Sequence, residues 1–174
     1  MADVGCGHGA STAIMAATFP NSELAGFDFH EGSVGEARDE AKRPSNLGFE
    51  VGRARDYLGA EYSFVTVYDA LHDMGDPSGA ASHIRRSLAA EGTLMLVEPM
   101  AGDGSDENLN PVGRCFYAFS TSLCVPGALS QDGHAALGAQ AGQKRLTEVL
   151  EGAVFSTVRR VAEAPFNMVR EARA

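Results

Sequence analysis

The feature that most constrains this chain is the stretch ADVGCGHGAS, residues 2–11, in which glycines at positions 5, 7 and 9 follow a short apolar run and precede a helical pattern. Glycine adopts positive φ angles without steric cost, so a glycine turn lets another molecule approach the backbone closely. The N-terminus of the following helix adds free N–H groups. The stretch therefore predicts a strand, a ligand-holding turn and a helix.

Beyond this turn the sequence alternates short β-rich runs with segments of helical period, which is the pattern of an α/β domain with a mostly parallel sheet. The runs FSTVRRVAE and FNMVREAR flank Pro165 closely enough to pair as an antiparallel hairpin. We therefore expect a Rossmann-like, doubly wound, mostly parallel sheet with a C-terminal antiparallel hairpin. The predicted strands are residues 2–4, 23–28, 48–52, 62–69 and 93–98, and the predicted helices are 11–19, 33–43, 78–90 and about 139–151.

Size and charge restrict the class of protein. The chain has 174 residues and a formal net charge of −9, from 14 Lys and Arg against 23 Asp and Glu. The length fits one domain with its own core, and the acidic charge disfavours nucleic acid because phosphates would be repelled.

Three cysteines without a C-x-x-C pair favour reduced thiols over a disulfide framework. With no bilayer-length apolar run and no secretion signal, we expect a cytoplasmic location and no membrane contact.

The second half of the sequence differs from the first in composition. Residues 101–113 are rich in Gly, Asp and Asn, which predicts a surface loop that could act as a lid. The next segment carries Phe116, Tyr117, Phe119 and Leu123 at helical spacing. These side chains either line an apolar pocket or belong to the ordinary core, and the sequence leaves both interpretations open.

Two aspartates indicate what the glycine turn holds. The letters GCGHGA fit both the G-x-G-x-x-A pattern of dinucleotide sites and a G-x-G-x-G pattern, so the glycines alone do not decide. Asp3, two residues before Gly5, would repel a pyrophosphate but attract the ammonium and sulfonium groups of S-adenosylmethionine. Asp28 ends the second predicted strand at a spacing that suits an acid binding ribose hydroxyls. Both nucleoside cofactors need the contact with Asp28, so it is Asp3 that favours S-adenosylmethionine over a nicotinamide nucleotide.

Four blocks of the sequence, ADVGCGHG, LAGFDFHEGSV, FEVGRARDY and FVTVYDALHDMGDP, resemble in order and approximate spacing the motifs of class I S-adenosylmethionine-dependent methyltransferases. The resemblance runs from Ala2 to Glu98 and implies S-adenosylmethionine as the cofactor and S-adenosylhomocysteine as the product. Arg53 stands where many members of the family have Asp, which shifts the expected adenine contact toward Asp56 or the Ala54 backbone. The cofactor-binding residues that the resemblance implies are Asp3, Gly5, Cys6, Gly7 and Gly9 at the methionine end, Asp28 and Phe29 at the ribose, Ala54, Arg55 and Asp56 at the adenine, and Asp69 and Ala70 after the fourth strand.

The fourth predicted strand leads into YDALHDM, at the edge where open α/β sheets bind their ligands. A hydroxyl acceptor of a methyl group benefits from a base, and the ordinary histidine pKa of ~6.5 suits that task at neutral pH. LHDMGDP also resembles the HDW-x-D-E stretch of small-molecule O-methyltransferases, whose histidine is the general base. The resemblance implies that His72 is the catalytic base, and a structural role for it stays open. Asp73 and Asp76 near His72 are a commonplace spacing, so we predict no metal site.

We therefore expect a small-molecule O-methyltransferase that acts on a small-molecule acceptor, with a homodimer as one option for its assembly. Two alternatives stay open: a non-catalytic S-adenosylmethionine-binding regulatory domain and a nicotinamide-binding oxidoreductase fragment. Met1 directly precedes the first predicted strand, and methyltransferase domains of this type often follow a winged-helix module. We expect residues 1–174 to form a single domain that lacks N-terminal helices or an N-terminal domain.

Overall fold

The short apolar run before the glycine turn forms the first strand, and all three of its residues are buried. The structure is a computed structural model that describes residues 1–40 and 44–174. The strands are β1 (Ala2–Val4), β2 (Leu24–Asp28), β3 (Leu47–Val51), β4 (Tyr62–Tyr68), β5 (Leu88–Pro99), β6 (Thr157–Glu163) and β7 (Asn167–Arg173). Within the described residues they form one seven-stranded sheet in the order β3-β2-β1-β4-β5-β7-β6.

The pairing of these strands confirms the predicted fold class. β1 to β5 pair in parallel, whereas β7 runs antiparallel to both β5 and β6. The strand order reverses at β1, which lies between β2 and β4. In such sheets the crevice at the carboxyl ends of the strands beside the reversal is where ligands bind.

Helices connect the strands and are α1 (Ala10–Thr18), α2 (Glu31–Asp39), α3 (Pro77–Ser87), α4 (Pro111–Phe119), α5 (Val125–Leu129) and α6 (Gly142–Gly152). A π-helical turn, Ser120–Cys124, joins α4 to α5, and a 3₁₀ turn, Leu71–Asp73, precedes α3. Local sequence sets the start of α3, because Asp76 Oδ1 accepts the Gly79 N–H at 2.8 Å and Pro77 occupies the first helical position.

Helices cover both faces of the sheet. Val4 and Val65 belong to the largest core cluster together with Ile84 of α3 and Leu146 of α6. Asp3, the neighbour of Val4, points to the other face, where α1 packs, because successive strand residues alternate. Each fully buried aliphatic side chain of this core contributes about 1.5–3 kcal/mol relative to exposure.

Two predicted helix ends differ from the structure. Helix 78–90 is wrong at its end, since α3 stops at Ser87 and Leu88 begins β5 by pairing with Tyr62. Leu88 is buried there, and burial with strand pairing outweighs the helical propensity of the following alanines. Helix 33–43 ends earlier as well, because Glu40 already has extended backbone angles; its predicted last residue, Arg43, lies outside the described residues.

The predicted surface loop 101–113 is wrong in its last residues. Asn110 Oδ1 accepts the Gly113 N–H at 2.9 Å and Pro111 begins α4, so an asparagine cap and a proline convert the end of the loop into helix. Earlier in the loop, Asp103 Oδ1 accepts the Lys144 N–H at 2.7 Å. The loop is thereby attached to the start of α6.

Candidate cofactor and acceptor site

A cavity of about 640 Å³ opens at the carboxyl ends of β1, β2 and β4, beside the point where the strand order reverses. The volume lies within the usual range for small-molecule sites. Of the residues that the resemblance implied for the cofactor, those lining the cavity are Gly5, Asp28, Phe29, Ala54, Arg55, Asp69 and Ala70. The other lining residues are Gly52, Arg53, Asp73, Met74, Asp76, Ala80, Leu123, Gly127, Ser130, Gln131 and Asp132.

The glycine turn has the backbone that the sequence predicts. Gly5, Gly7 and Gly9 have φ angles of 76°, 53° and 76°, all in the left-handed region. The Gly5 N–H donates to the Phe27 carbonyl at 2.8 Å, which joins the turn to the end of β2. A Cβ atom on Gly5 would lie 2.7 Å from the Ala70 Cβ, so the turn leaves no room for a side chain there. The cavity floor is therefore bare backbone at Gly5.

Asp28 lies at the end of β2 and faces the cavity. Its Oδ2 accepts the Gly7 N–H at 2.9 Å, and its Oδ1 accepts the His30 N–H at 2.9 Å. These bonds fix the orientation of the carboxylate. Each carboxylate oxygen can accept a second hydrogen bond, which leaves Asp28 able to bind hydroxyl groups of a ligand.

Asp3 is not among the residues that line the cavity, and its expected contact with a cofactor ammonium stays a prediction. Its side chain is enclosed, and it accepts hydrogen bonds from Ser11 Oγ at 2.9 Å, Thr12 Oγ1 at 2.7 Å and Thr66 Oγ1 at 2.9 Å. Burial raises the pKa of Asp3, and the three hydroxyl donors oppose that rise. The aspartate ties the start of α1 to β1 and β4, because a buried carboxylate needs such partners.

Other residues implied for the cofactor also lie off the cavity lining. Cys6 packs in a small cluster with Val34, Ala37 and Phe49, on the side of α2 and β3. Gly7 and Gly9 shape the turn without lining the cavity, and Asp56 donates its N–H to the Arg53 carbonyl in a backbone turn. Their contribution is to the conformation of the two loops rather than to the cavity surface.

A wall that the sequence did not predict closes the side of the cavity beside β3. Arg53 Nη1 and Arg55 Nη2 contact Asp132 Oδ2 at 2.6 and 3.2 Å. The hydrogen bond from Arg53 lowers the pKa of Asp132. Gln131 fastens the same segment to the loop after β4, since its Nε2 donates to the Asp73 carbonyl at 2.8 Å. SQDG reads locally as a turn, so the sequence carries no signal for this contact.

The segment with aromatic side chains contributes little to the cavity. Of Phe116, Tyr117, Phe119 and Leu123, only Leu123 lines it. Phe119 and Leu123 are largely exposed rather than core residues. No residue of the loop 101–113 lines the cavity either. The predicted lid is therefore absent from the cavity wall in the described part of the chain.

His72 lies behind the cavity wall, not in it. Its Nδ1 is 2.6 Å from Glu98 Oε2, and its Nε2 is 3.3 Å from Asp73 Oδ1. Glu98, at the end of β5, also accepts the Leu71 N–H at 3.0 Å, so backbone geometry fixes the carboxylate that holds the imidazole. Burial disfavours the charged imidazole, but the hydrogen bond and charge of Glu98 outweigh it and raise the pKa of His72. Complete burial raises the pKa of Glu98.

His72, Asp73 and Cys124 place one metal-ligand type of atom each within 4.8 Å of one another. Burial raises the pKa of the Cys124 thiol to about 11, so the thiol is protonated at neutral pH. A metal ion would have to displace the thiol proton, so the raised pKa lowers the affinity of this set for a metal at neutral pH. The sulfur comes from the π-helical turn, far from the HDM stretch in sequence, so no local pattern indicates it.

Comparison with known proteins defines the class. A sequence profile described as a methyltransferase domain matches residues 2–94, more than half of the chain. The chain belongs to this methyltransferase domain family. This membership decides against the nicotinamide-binding oxidoreductase alternative. No curated protein matches the sequence.

Solved structures share the fold. They include a proposed O-methyltransferase from Nostoc punctiforme PCC 73102 (21% identity, TM-score 0.74), a protein described as PigF with SAH (18%, 0.79), and human N-acetylserotonin methyltransferase in complex with SAM (18%, 0.75). Each comparison covers 99% of this chain and 51%, 50% and 46% of the respective neighbour. The chain thus spans about half the length of these proteins. At such identities the likeness shows the Rossmann-like methyltransferase fold.

None of the described helices combines the length and the apolar character that crossing a bilayer requires.

Proposed function

We propose that this chain transfers a methyl group from S-adenosylmethionine to an oxygen atom of a small molecule, with His72 as the general base. The observation that carries the proposal is the cavity at the sheet reversal, which has the bare Gly5 turn and Asp28 on one side and the His72–Glu98 pair behind the other. Neighbours of the same fold are described as bound to SAM or SAH, which supports this cofactor.

The residues present fit such a cofactor. Gly5 leaves its backbone open to the ligand, and Asp28 offers free acceptor positions to the ribose hydroxyls. Phe29 and Ala54 supply apolar contact for the adenine from the two loops that follow β2 and β3. When bound, the cofactor supplies an electrophilic methyl carbon on a sulfonium.

The protein's part in the reaction is to align the acceptor and to remove its proton. His72 Nε2 would accept the proton of the acceptor hydroxyl as its oxygen takes the methyl group, and a bound cofactor would keep the electron pair of its sulfur–methyl bond as a thioether. Glu98 on Nδ1 stabilises the imidazolium that results. Asp73 Oδ1 is 3.3 Å from Nε2 and Asp73 also lines the cavity, so in this proposal its side chain turns aside as the acceptor binds. Asp73 is partly exposed, which leaves it room to do so.

A matched pair of histidine variants tests the base. His72→Asn keeps a donor toward Glu98, and we expect it to lose at least about a hundredfold in kcat on a phenol panel, because general-base catalysis contributes about 10²–10⁴. His134→Asn is the control: His134 is exposed, and asparagine tolerates its left-handed φ of 51°. Full activity in His72→Asn would contradict the base role.

Calorimetry with S-adenosylhomocysteine and NAD tests the cofactor independently. We expect S-adenosylhomocysteine to bind to the wild type and to His72→Asn with equal affinity, because His72 does not line the cavity. Binding of NAD alone would overturn the proposal. Binding of S-adenosylhomocysteine without turnover of any acceptor would favour the non-catalytic regulatory alternative.

We also propose that the reaction needs no metal ion, since the proposed base is the His72 imidazole held by Glu98, and a metal at this set would have to displace the proton of the Cys124 thiol. Methyl transfer should be unchanged after treatment with a chelator. Loss of activity that added divalent cation restores would contradict this proposal.

A further inference from the structure

The residue that follows β4 departs from ordinary backbone geometry. Asp69 has a φ of 46°, in the left-handed region that residues with side chains rarely adopt. Among the described residues, Glu61, His134 and Val154 also have positive φ, but none of these lines the cavity. Backbone strain of about 1–3 kcal/mol persists only where the surroundings enforce it, and it is concentrated at functional sites. The strained backbone of Asp69 therefore indicates that this residue has a function at the cavity.

The carboxylate of Asp69 is held by a residue from the far end of the chain. Asn167 Nδ2 lies 2.8 Å from Asp69 Oδ1 and 3.0 Å from Oδ2, and Asn167 is the first residue of β7. The backbone also contributes, since the Asp69 N–H donates to the Val97 carbonyl at 2.8 Å. Together these bonds fix both the backbone and the carboxylate of Asp69.

The hydrogen bonds from Asn167 place the Asp69 carboxylate on one side of the cavity. β7 lies beyond β5, whereas β1 and β2, which carry the glycine turn and Asp28, lie on the other side of β4. Asn167 therefore draws the carboxylate away from Asp28 and toward the side of His72 and Glu98. Burial raises the pKa of Asp69, and the charges of Asp69 and His72 act on each other, which is consistent with that placement.

The bonding capacity of Asp69 is not exhausted. A carboxylate offers about four lone-pair positions, and the Asn167 amide uses at most one on each oxygen. Asp69 lines the cavity, so its remaining positions are open to a ligand. A carboxylate accepts hydrogen bonds and donates none, and it repels other carboxylates.

We propose that Asp69 binds the methyl acceptor by accepting a hydrogen bond from an O–H or N–H group that lies beside the hydroxyl to be methylated. The inference rests on the proposed function and names its substrate class: small molecules with a second hydroxyl or an amino group beside the hydroxyl to be methylated. Acceptors whose neighbouring group cannot donate bind less well. Asn167 is a positioning residue that aims the carboxylate. The side chain that the resemblance implied for the cofactor is thereby assigned to the acceptor.

Three phenols of similar size and shape test the proposal: catechol, 2-aminophenol and 2-methoxyphenol. Their affinities for the chain loaded with S-adenosylhomocysteine are measured by calorimetry, so no turnover is needed. We expect the first two to bind at least about tenfold more tightly than 2-methoxyphenol, since a hydrogen bond to a charged group gives that discrimination. Equal affinities for all three would overturn the proposal.

Asp69→Gly removes the carboxylate and suits the left-handed backbone, so the variant is expected to fold. The variant should bind the three phenols with about equal affinity, because the group that accepts the hydrogen bond is absent. Its affinity for S-adenosylhomocysteine should equal that of the wild type. A loss of S-adenosylhomocysteine affinity with the phenol preference intact would place Asp69 on the cofactor and overturn the assignment.

An exchange of the two partners separates positioning from structure. The double variant Asp69→Asn with Asn167→Asp keeps the amide–carboxylate hydrogen bond but moves the charge to β7. We expect its free energy of unfolding to equal that of the wild type. Its preference among the phenols should be lost. A return of the preference would contradict the proposal. If the wild type shows the binding preference but methylates none of the phenols, the acceptor subsite is supported and the proposed methyl transfer is contradicted.

Discussion

The two sides of the cavity are built in different ways. On the side of β1 to β3, backbone groups set the geometry: the Gly5 N–H bonds to the Phe27 carbonyl, and the Gly7 N–H bonds to Asp28. On the side of β4 to β7, side chains position one another across the sheet, as His72 with Glu98 and Asp69 with Asn167 do. Asp69 and Asn167 are 98 positions apart in sequence. The first side is thus fixed by local motifs, and the second by the pairing of distant strands.

Charge separates the two sides as well. On the glycine side the Asp28 carboxylate bonds to backbone N–H groups, whereas on the opposite side Glu98, Asp73 and Asp69 surround the titratable imidazole of His72. Substitutions on the glycine side should therefore change cofactor affinity at every pH. Substitutions on the opposite side should change the pH dependence of the reaction and the choice of acceptor.

The largest effect is expected at the glycine turn. Gly5→Ala puts a Cβ atom 2.7 Å from the Ala70 Cβ at a φ of 76°, so both the clash and the backbone strain act on the cavity floor. We expect a loss of about 3 kcal/mol in the free energy of unfolding and of at least about a hundredfold in S-adenosylhomocysteine affinity. Chemical denaturation and calorimetry measure the two quantities.

Gly35→Ala is the control for that substitution. Gly35 lies inside α2, and a Cβ there meets nothing within 4 Å. We expect a gain of about 0.5–1 kcal/mol, since alanine is the better helix former. Equal destabilisation by the two variants would contradict a special demand of the turn at Gly5.

The next effect distinguishes the two aspartates of the glycine side. Asp3→Ala leaves the hydroxyls of Ser11, Thr12 and Thr66 without their acceptor. We expect it to lower the free energy of unfolding by about 2–3 kcal/mol, because buried polar groups then lack partners. Asp28→Ala should cost less stability but lower S-adenosylhomocysteine affinity at least about tenfold. If Asp3→Ala instead lowered affinity without loss of stability, the direct cofactor contact expected from the sequence would be right.

The comparison also explains how much the sequence predicts. The sheet class, the glycine turn and the position of Asp28 can be predicted because short motifs and hydrophobic periodicity mark them in the sequence. The three hydroxyl partners of Asp3 could not be predicted, since sequence spacing does not tell which face of β1 a side chain occupies. The contact of Arg53 with Asp132 depends on where the chain runs after α5, and the hydrogen bond between Asn167 and Asp69 depends on the order of the strands. No local pattern encodes those contacts.

A third effect concerns the pH dependence of kcat/KM, which the groups around His72 control. His72 must be deprotonated to act as a base, so kcat/KM should rise with pH through the pKa of His72, which Glu98 and then Asp73 and Asp69 raise above its ordinary value. Glu98→Gln removes the largest of these charges while burial still lowers the pKa, so the rising limb should move to lower pH. Its plateau should fall, since the imidazolium loses its stabilising partner.

The pH–rate profiles of wild type and Glu98→Gln measure this shift. Asp28→Asn is the matched control, because Asp28 lies on the glycine side and has no part in the His72 cluster. Its profile should keep the wild-type midpoint at a lower kcat/KM. Coincident midpoints for the wild type and Glu98→Gln would contradict the assignment of the rising limb to His72.

The smallest effect is expected on the side of the cavity beside β3, at the ion pairs of Arg53 and Arg55 with Asp132. All three side chains are at least one-third exposed, and exposed ion pairs add little because water and salt screen them. Asp132→Asn should weaken S-adenosylhomocysteine binding by no more than about threefold, mainly through faster dissociation, and the difference should vanish in high salt. Stopped-flow dissociation at low and high ionic strength measures it. A larger loss that persists in high salt would mean that Asp132 contacts the ligand itself, and the cavity side beside β3 would then depend on a distant side chain as much as the opposite side does.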